Sequence, residues 1–252
     1  MMEDGPRQYL ASLDSVNTAL IPVPKLERDS YDWEQRHRDV LAAKARMTPE
    51  IVLIGDSITH FWGGLPKANQ VNGPRSWEAA FGGKDGGKDG GKDVLNLGFG
   101  WDRTQNVLWR LVHGEFDGLR PKVVIIHIGT NNLTGTSNAR ASTPEEVVAG
   151  ILAIHDFVRA ASPESRIVVM GVFPRGFTPA SRLRSSIARV NQLLAPAIGA
   201  RPGTTYLDIT SRFLEADGTL PRRLMNDGTH PTDEGYAIWA QALVEAGVLS
   251  RK

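Results

Sequence analysis

From Ile51 onward, short and almost wholly apolar runs alternate with longer segments of helical period, and this alternation restricts the fold more than any other feature. The runs are Ile51-Val52-Leu53-Ile54, Val94-Leu95-Asn96-Leu97, Val123 to Ile128, Ile167 to Val172, and the weaker Thr205-Tyr206-Leu207. A strand with one wet face alternates apolar and polar residues. A near-continuous apolar strand is covered on both faces, as in a parallel sheet between two helix layers. The intervening periodicity predicts helices over about 74–81, 103–113, 144–161, 180–199 and 233–246. Thr143-Pro144-Glu145-Glu146 supplies a cap, a proline at the first helical position and a capping-box Glu. Thr232-Asp233-Glu234 offers a cap and first-turn carboxylates for the last helix. The rhythm predicts an α/β protein, a three-layer α/β/α domain with a parallel sheet of about five strands.

Two segments fall outside that rhythm. Residues 1–50 hold Pro22-Val23-Pro24 and then a predicted helix from about Asp32 to Arg46, read as an extension packed on a 51–252 domain. Residues 82–93 repeat Gly-Gly-Lys-Asp three times. With no apolar side chain to offset its ordering cost, the repeat reads as a flexible surface loop.

Composition excludes several classes of function. The chain of 252 residues carries 29 Lys and Arg against 28 Asp and Glu, a net +1, which argues against a nucleic-acid surface. No apolar run approaches the ~18–20 residues of a membrane span. The start, Met1-Met2-Glu3-Asp4-Gly5-Pro6, lacks the apolar stretch of a signal peptide, so a cytoplasmic location is the default expectation. There is no cysteine, which excludes disulfides, thiolate metal sites and a cysteine nucleophile, and leaves the redox compartment undetermined.

Chemistry concentrates at strand ends. Gly55-Asp56-Ser57-Ile58 directly follows the first strand, at the carboxyl edge where such sheets place their ligand crevice. A serine there needs a base, and the base needs a group to hold its tautomer. Asp227-Gly228-Thr229-His230 offers that pair, with a spacing that lets the carboxylate reach Nδ1 while Nε2 faces outward. Taken singly, Ser57 as a helix cap and Asp227 as a turn residue are the simpler readings. Gly129-Thr130-Asn131-Asn132 after the third strand changes the balance, because an Asn amide there can donate to a developing oxyanion. The second strand ends in Gly98-Phe99-Gly100-Trp101-Asp102, whose backbone N–H groups suit the same oxyanion.

These blocks resemble the SGNH (GDSL) hydrolases. Gly55-Asp56-Ser57 is similar to the family's first block, Gly129-Thr130-Asn131 to its third and Asp227-Gly228-Thr229-His230 to its last, over about Ile51 to Tyr236. Leu95 to Gly100, Asn106 to Leu111 and Phe173-Pro174-Arg175-Gly176 resemble the branch that holds platelet-activating-factor acetylhydrolase catalytic subunits and bacterial esterases. The resemblance implies Ser57 as nucleophile, His230 as base, Asp227 as its orienting group, Asn131 as oxyanion donor, a flavodoxin-like sheet, and no metal or organic cofactor. It implies a short-chain esterase, foremost a carbohydrate acetylesterase acting on a small-molecule or glycan acyl ester, with a lipid acetyl ester or thioester as alternative substrates. It also leaves a homodimer open.

One position departs from the pattern. The family's second-block glycine, whose N–H lines the oxyanion hole, corresponds to Trp101. Trp101 is therefore expected to be both donor and pocket wall, with Gly100 as the alternative donor beside the Ser57 N–H. Asp56 and Trp62, close to Ser57, are expected at the substrate cleft. Trp109 and His127 read as core residues. Two rival readings use the same scaffold: a glycan-binding module with an inactive triad, and a phosphoryl-accepting domain using Asp56. The second leaves Asn131, Asp227 and His230 without a role.

Overall fold

A computed structural model describes residues 16–82 and 93–249. Among these residues five parallel strands form one sheet in the order β2-β1-β3-β4-β5, with β1 Ile51–Gly55, β2 Val94–Gly98, β3 Val123–His127, β4 Arg166–Met170 and β5 Thr204–Leu207. Among the described residues seven α-helices surround it: α1 Trp33–Lys44, α2 Ser57–His60, α3 Pro74–Phe81, α4 Thr104–Arg110, α5 Pro144–Ala161, α6 Arg184–Gly199 and α7 Asp233–Glu245. The strand order is the flavodoxin-like one, in which the chain reverses direction between β1 and β3 and opens a crevice at their carboxyl ends.

Alternate side chains of each strand enter two separate cores, which is why the strands read as continuous apolar runs. Val52, Ile54, Val124 and Ile126 pack with α1, α4, α5 and α6. Ile51, Leu53, Ile125 and Val168 face the other way, against Trp62, Phe81, Trp239 and Leu243.

The helix starts follow local chemistry. Thr143 Oγ1 accepts the Glu146 N–H at 3.2 Å while Glu146 Oε2 accepts the Thr143 N–H at 2.8 Å, closing the expected capping box. Thr232 caps α7 through Gly235 N–H. Two boundaries differ from the sequence expectation. α6 begins at Arg184, because a turn closed by Ser181 N–H to Thr178 C=O and Arg184 N–H to Ser181 C=O occupies the residues before it. α4 stops at Arg110 and passes into a wider turn, Leu111–Glu115, where Gly114 takes φ +95°. Within the Gly-Gly-Lys-Asp repeat only Gly82 and Asp93 are described, so the loop expectation lies outside the described residues. Among the described residues no helix is long and apolar enough to cross a membrane.

The N-terminal segment closes over the end of β2. Arg36 on α1 donates to the carbonyls of Gly98, Asn96 and Pro66 at 2.8, 3.2 and 3.1 Å. Trp33 Nε1 reaches Asp102 Oδ1 at 2.7 Å. Fully buried Arg110 joins Asp102 and Glu115, and its guanidinium lies 3.8 Å from the Phe99 ring centroid. Burial alone lowers the affinity of Arg110 for its proton, but the two carboxylates outweigh it and raise it. The turn after β2 is thus gripped by α1 and α4 together.

Candidate active site

Ser57 is the first residue of α2, immediately beyond β1. Asp56 caps that helix, its Oδ1 accepting the Ile58 N–H at 2.9 Å. Gly55 must be glycine here, since a Cβ would lie 2.4 Å from the His127 carbonyl and 2.1 Å from Thr59 Oγ1. Asn96 on β2 pins the far end of α2, donating to the Thr59 and Gly63 carbonyls at 2.9 and 2.7 Å.

The Asp227–His230 turn brings the other two groups in. Asp227 Oδ1 accepts the Thr229 and His230 N–H groups, each at 2.8 Å, and Oδ2 contacts His230 Nδ1 at 2.6 Å. Gly228 supplies the positive φ of +76° that the turn requires. His230 Nε2 then lies 2.9 Å from Ser57 Oγ. Partial burial raises the Asp227 carboxyl, but the bonds from the His230 ring and the two N–H groups outweigh it and hold the carboxyl well below the usual range. A carboxylate held ionised fixes the proton on Nδ1 and leaves Nε2 to accept one from Ser57.

These three residues line a pocket of about 250 Å³ together with Trp101 and Asn131. Asn131 Nδ2 gives one N–H to the Asp102 carbonyl at 3.0 Å, and a primary amide has a second to offer. Trp101 sits at the third position of a turn closed by Asp102 N–H to Phe99 C=O at 3.2 Å. Its φ of +61° is the region that a glycine takes freely, and it is the one positive φ outside glycine among the described residues. The tryptophan therefore has a backbone form that a glycine would adopt without strain. Gly100 is committed elsewhere: its N–H meets His60 Nδ1 at 3.2 Å and its carbonyl accepts the Tyr31 hydroxyl at 3.1 Å. Burial, reinforced by Arg36, Arg110 and Lys25, pushes His60 down to about 2 and keeps it a neutral acceptor.

Two expected cleft residues are not in the cleft. Trp62 is fully buried, stacked on Tyr236 and Trp239 at 5.4 and 4.5 Å, with its Nε1 on Ser76 Oγ at 3.1 Å. The chain turns away after α2 and carries it into the core under α3 and α7. Asp56 is likewise buried, and burial raises its carboxyl to about 7. It acts on the helix and does not face the pocket. His127 is buried as expected, yet both ring nitrogens lack a hydrogen-bond partner among the described residues. Trp109 is only partly buried, stacked on His113 at the edge of the core.

The pocket also contains residues to which the sequence reading assigned no role in the site. Asp29 and Ser30 come from the N-terminal segment, Phe61 and Gln70 from the region after α2, and Arg175 from the turn after β4. The Gly100 Cα explains how close the N-terminal segment comes, since a Cβ there would fall 2.5 Å from Asp29 Oδ2.

A serine after β1, an amide after β3 and a histidine on a late turn meet at the crevice of a flavodoxin-like sheet, an arrangement that can support serine-hydrolase chemistry. Residues 53–238 match the model of the GDSL-like Lipase/Acylhydrolase family, and the chain belongs to that family. It is an ester hydrolase. Among curated proteins it is similar to bovine (Bos taurus) platelet-activating factor acetylhydrolase IB subunit alpha1, with 34% identity over 222 residues, 88% of this chain and 84% of that one. It is also similar to the rat (Rattus norvegicus) alpha2 subunit, with 33% identity over 231 residues, 91% of this chain and 90% of the relative. Solved structures with the same fold include a GDSL-like lipase from Bacteroides thetaiotaomicron, at TM-score 0.63 and 18% identity, covering 85% of this chain and 98% of that one. Another is a catalytic mutant of an acetylxylan esterase from Geobacillus stearothermophilus, at TM-score 0.57 and 17% identity, covering 77% and 92%.

Proposed function

We propose that the protein is a serine esterase that removes short acyl groups, acetyl foremost, from a hydroxyl of a carbohydrate. The observation that carries this reading is the Asp227–His230–Ser57 relay, with contacts of 2.6 and 2.9 Å, inside a pocket of about 250 Å³. Ser57 Oγ attacks the ester carbonyl as His230 Nε2 takes its proton. Asp227 holds the resulting imidazolium. The tetrahedral oxyanion is met by Asn131 Nδ2 and the backbone N–H groups of Ser57 and Trp101, Gly100 being occupied by His60. Collapse expels the alcohol, which receives the proton from His230 and leaves an acyl-Ser57 ester. Water then attacks that ester with His230 again as base, releasing the acid and restoring the serine.

A small pocket with the half-exposed Trp101 in its wall favours a small acyl group. Polar wall residues beside two aromatic rings, Phe61 and Trp101, suit a sugar. The curated relatives carry platelet-activating factor in their names, which keeps a lipid acetyl ester as the second reading. A panel of acetylated sugars, acetyl glycerolipids and acyl thioesters scored by kcat/KM decides between them. A fluorophosphonate should label wild type and not Ser57→Ala; absence of labelling and of turnover in the wild type would return the chain to the binding-module reading.

A further inference from the structure

One cation in the pocket wall takes no part in the proposed chemistry. Arg175 lies in the turn after β4 and lines the same pocket as Ser57, Asn131 and His230. It is half-buried, and its side chain makes one hydrogen bond, Nη1 to Thr134 Oγ1 at 3.1 Å, with no ion pair among the described residues. A guanidinium has five N–H donors in a planar fork, so most of them are unspent.

The acidic groups around it are engaged with other partners. Asp227 is saturated by His230 Nδ1, the His230 N–H and the Thr229 N–H. Asp56 is buried, engaged with Ile58, and raised to about 7 by that burial, so near neutrality it carries only a partial charge. Asp29, also in the wall, is paired with Lys25 at 3.2 Å and accepts the Ser30 N–H at 2.7 Å. Arg182 adds a second positive charge nearby. Asp56 and Asp227 raise the proton affinity of Arg175, but burial outweighs them and lowers it, as expected of a cation drawn from water without an ion-pair partner in contact. A half-desolvated guanidinium with free donors in a ligand pocket is a receptor for a planar or tetrahedral oxyanion.

We propose that Arg175 is an anion-recognition subsite, and that the physiological ester bears a carboxylate or phosphate within a few bonds of the acylated hydroxyl. The separation is short because one pocket of about 250 Å³, below the ~300–1,000 Å³ of drug-sized sites, holds both Ser57 and Arg175. The proposal rests on the esterase reading above and narrows its substrate class from sugars in general to acidic ones. Because the anion is present in substrate and transition state alike, Arg175 should act mainly through KM.

The test compares wild type, Arg175→Gln and Arg175→Lys on matched acetyl esters. One arm pairs an acetylated methyl glucuronide with its methyl glucoside counterpart; the other pairs an acetylated sugar phosphate with the unphosphorylated sugar. The neutral reference is 4-nitrophenyl acetate. In the wild type at least one anionic ester should exceed its neutral partner in kcat/KM by tenfold or more, mostly through KM and less so in high salt. The arm that shows it identifies the anion. Arg175→Gln should bring the ratio close to one, and Arg175→Lys should fall between. A wild-type ratio near one in both arms overturns the proposal, and that measurement needs no variant to fold. So does an Arg175→Gln enzyme that keeps the wild-type ratio, or one that loses activity on charged and neutral esters equally. Failure of the wild type to hydrolyse any acetyl ester would instead sink the esterase reading.

Discussion

Asp102→Asn is the sharpest probe of how the oxyanion turn is held. Asp102 is fully buried and accepts Trp33 Nε1 at 2.7 Å on one oxygen and Arg110 Nε at 2.8 Å on the other. Asparagine has a single acceptor oxygen, so one of the two donors must face an NH2 group. Stranding one partner of a buried ion pair costs about 3–5 kcal/mol. Arg110 keeps Glu115, which places the loss at the lower end, about 3 kcal/mol. For a chain of this size each kcal/mol moves Tm by about 2–4 °C, so calorimetry should record a fall of roughly 6–12 °C.

The kinetic consequence separates positioning from general stability. The Asp102 carbonyl accepts from Asn131, and the residue before it is Trp101, so two of the three proposed oxyanion donors hang on this one residue. Losing one such donor outright costs about 10²–10³ in kcat. A loosened turn should cost about ten- to a hundredfold, with KM changing less than threefold, because the oxyanion exists only beyond the ground state. Glu115→Gln breaks the same ion cluster without touching the turn. It should lower Tm comparably while kcat, measured well below the transition, stays within threefold. An Asp102→Asn enzyme with wild-type kcat, or a Glu115→Gln enzyme that loses kcat equally, would refute the positioning role.

Trp101→Gly relieves a left-handed conformation worth about 1–2 kcal/mol against an unfolded-chain cost of about 0.4–1 kcal/mol for the new glycine, so Tm should change little. On acetyl, butyryl and octanoyl esters its preference should shift to longer chains, with acetyl kcat falling less than tenfold; an unchanged profile would mean the indole does not bound the acyl site. Asn131→Ala should lower kcat about 10²–10³-fold on all three chain lengths alike. Asp56→Asn tests a proton linkage. Burial raises the folded carboxyl to about 7, above its unfolded value of about 3.9, so the native state binds the extra proton and this contribution to stability is lost as pH rises through 4–7. Urea midpoints of Asp56→Asn relative to wild type should therefore improve between pH 5 and pH 8; a pH-independent difference would show that Asp56 titrates normally.

The sheet was legible because its signal is local. Each strand is five residues or fewer; β1 to β4 are buried on both faces and marked by their own apolar runs, while the edge strand β5 is only partly buried and its run is correspondingly weaker. The Thr143 capping box and the Asp227–His230 turn were readable for the same reason, since their partners stand three residues apart. Trp62 misled because nearness to Ser57 in sequence says nothing of where the chain goes after a one-turn helix. What lay beyond reach was the grip on the β2 turn. Trp33 and Asp102 are separated by 69 positions, as are Tyr31 and Gly100, and no periodicity links them. Arg36 and Arg110 look like ordinary surface charges on helices until packing shows them buried against carbonyls and carboxylates. Arg175 sat in a recognisable stretch, yet the unspent valence of its guanidinium is visible only once its neighbours are known.

A tryptophan at φ +61° raises the question of what pays for the conformation. The turn holds it from three sides: Tyr31 on the Gly100 carbonyl, His60 on the Gly100 N–H, and Trp33 with Arg110 on the Asp102 carboxylate. None of these bonds involves the indole, so they would hold a glycine equally well, and the left-handed form follows from the surroundings. Strain of about 1–3 kcal/mol survives only where the structure over-determines it, and here two of the over-determining contacts, from Tyr31 and Trp33, come from the N-terminal segment. On the proposed mechanism the oxyanion donors are therefore oriented before substrate arrives, so little reorganisation is left for the moment of charge development. The segment that reads as an appendage in the sequence is then part of the catalytic apparatus, acting through backbone geometry and leaving the Trp101 side chain free to shape the acyl site.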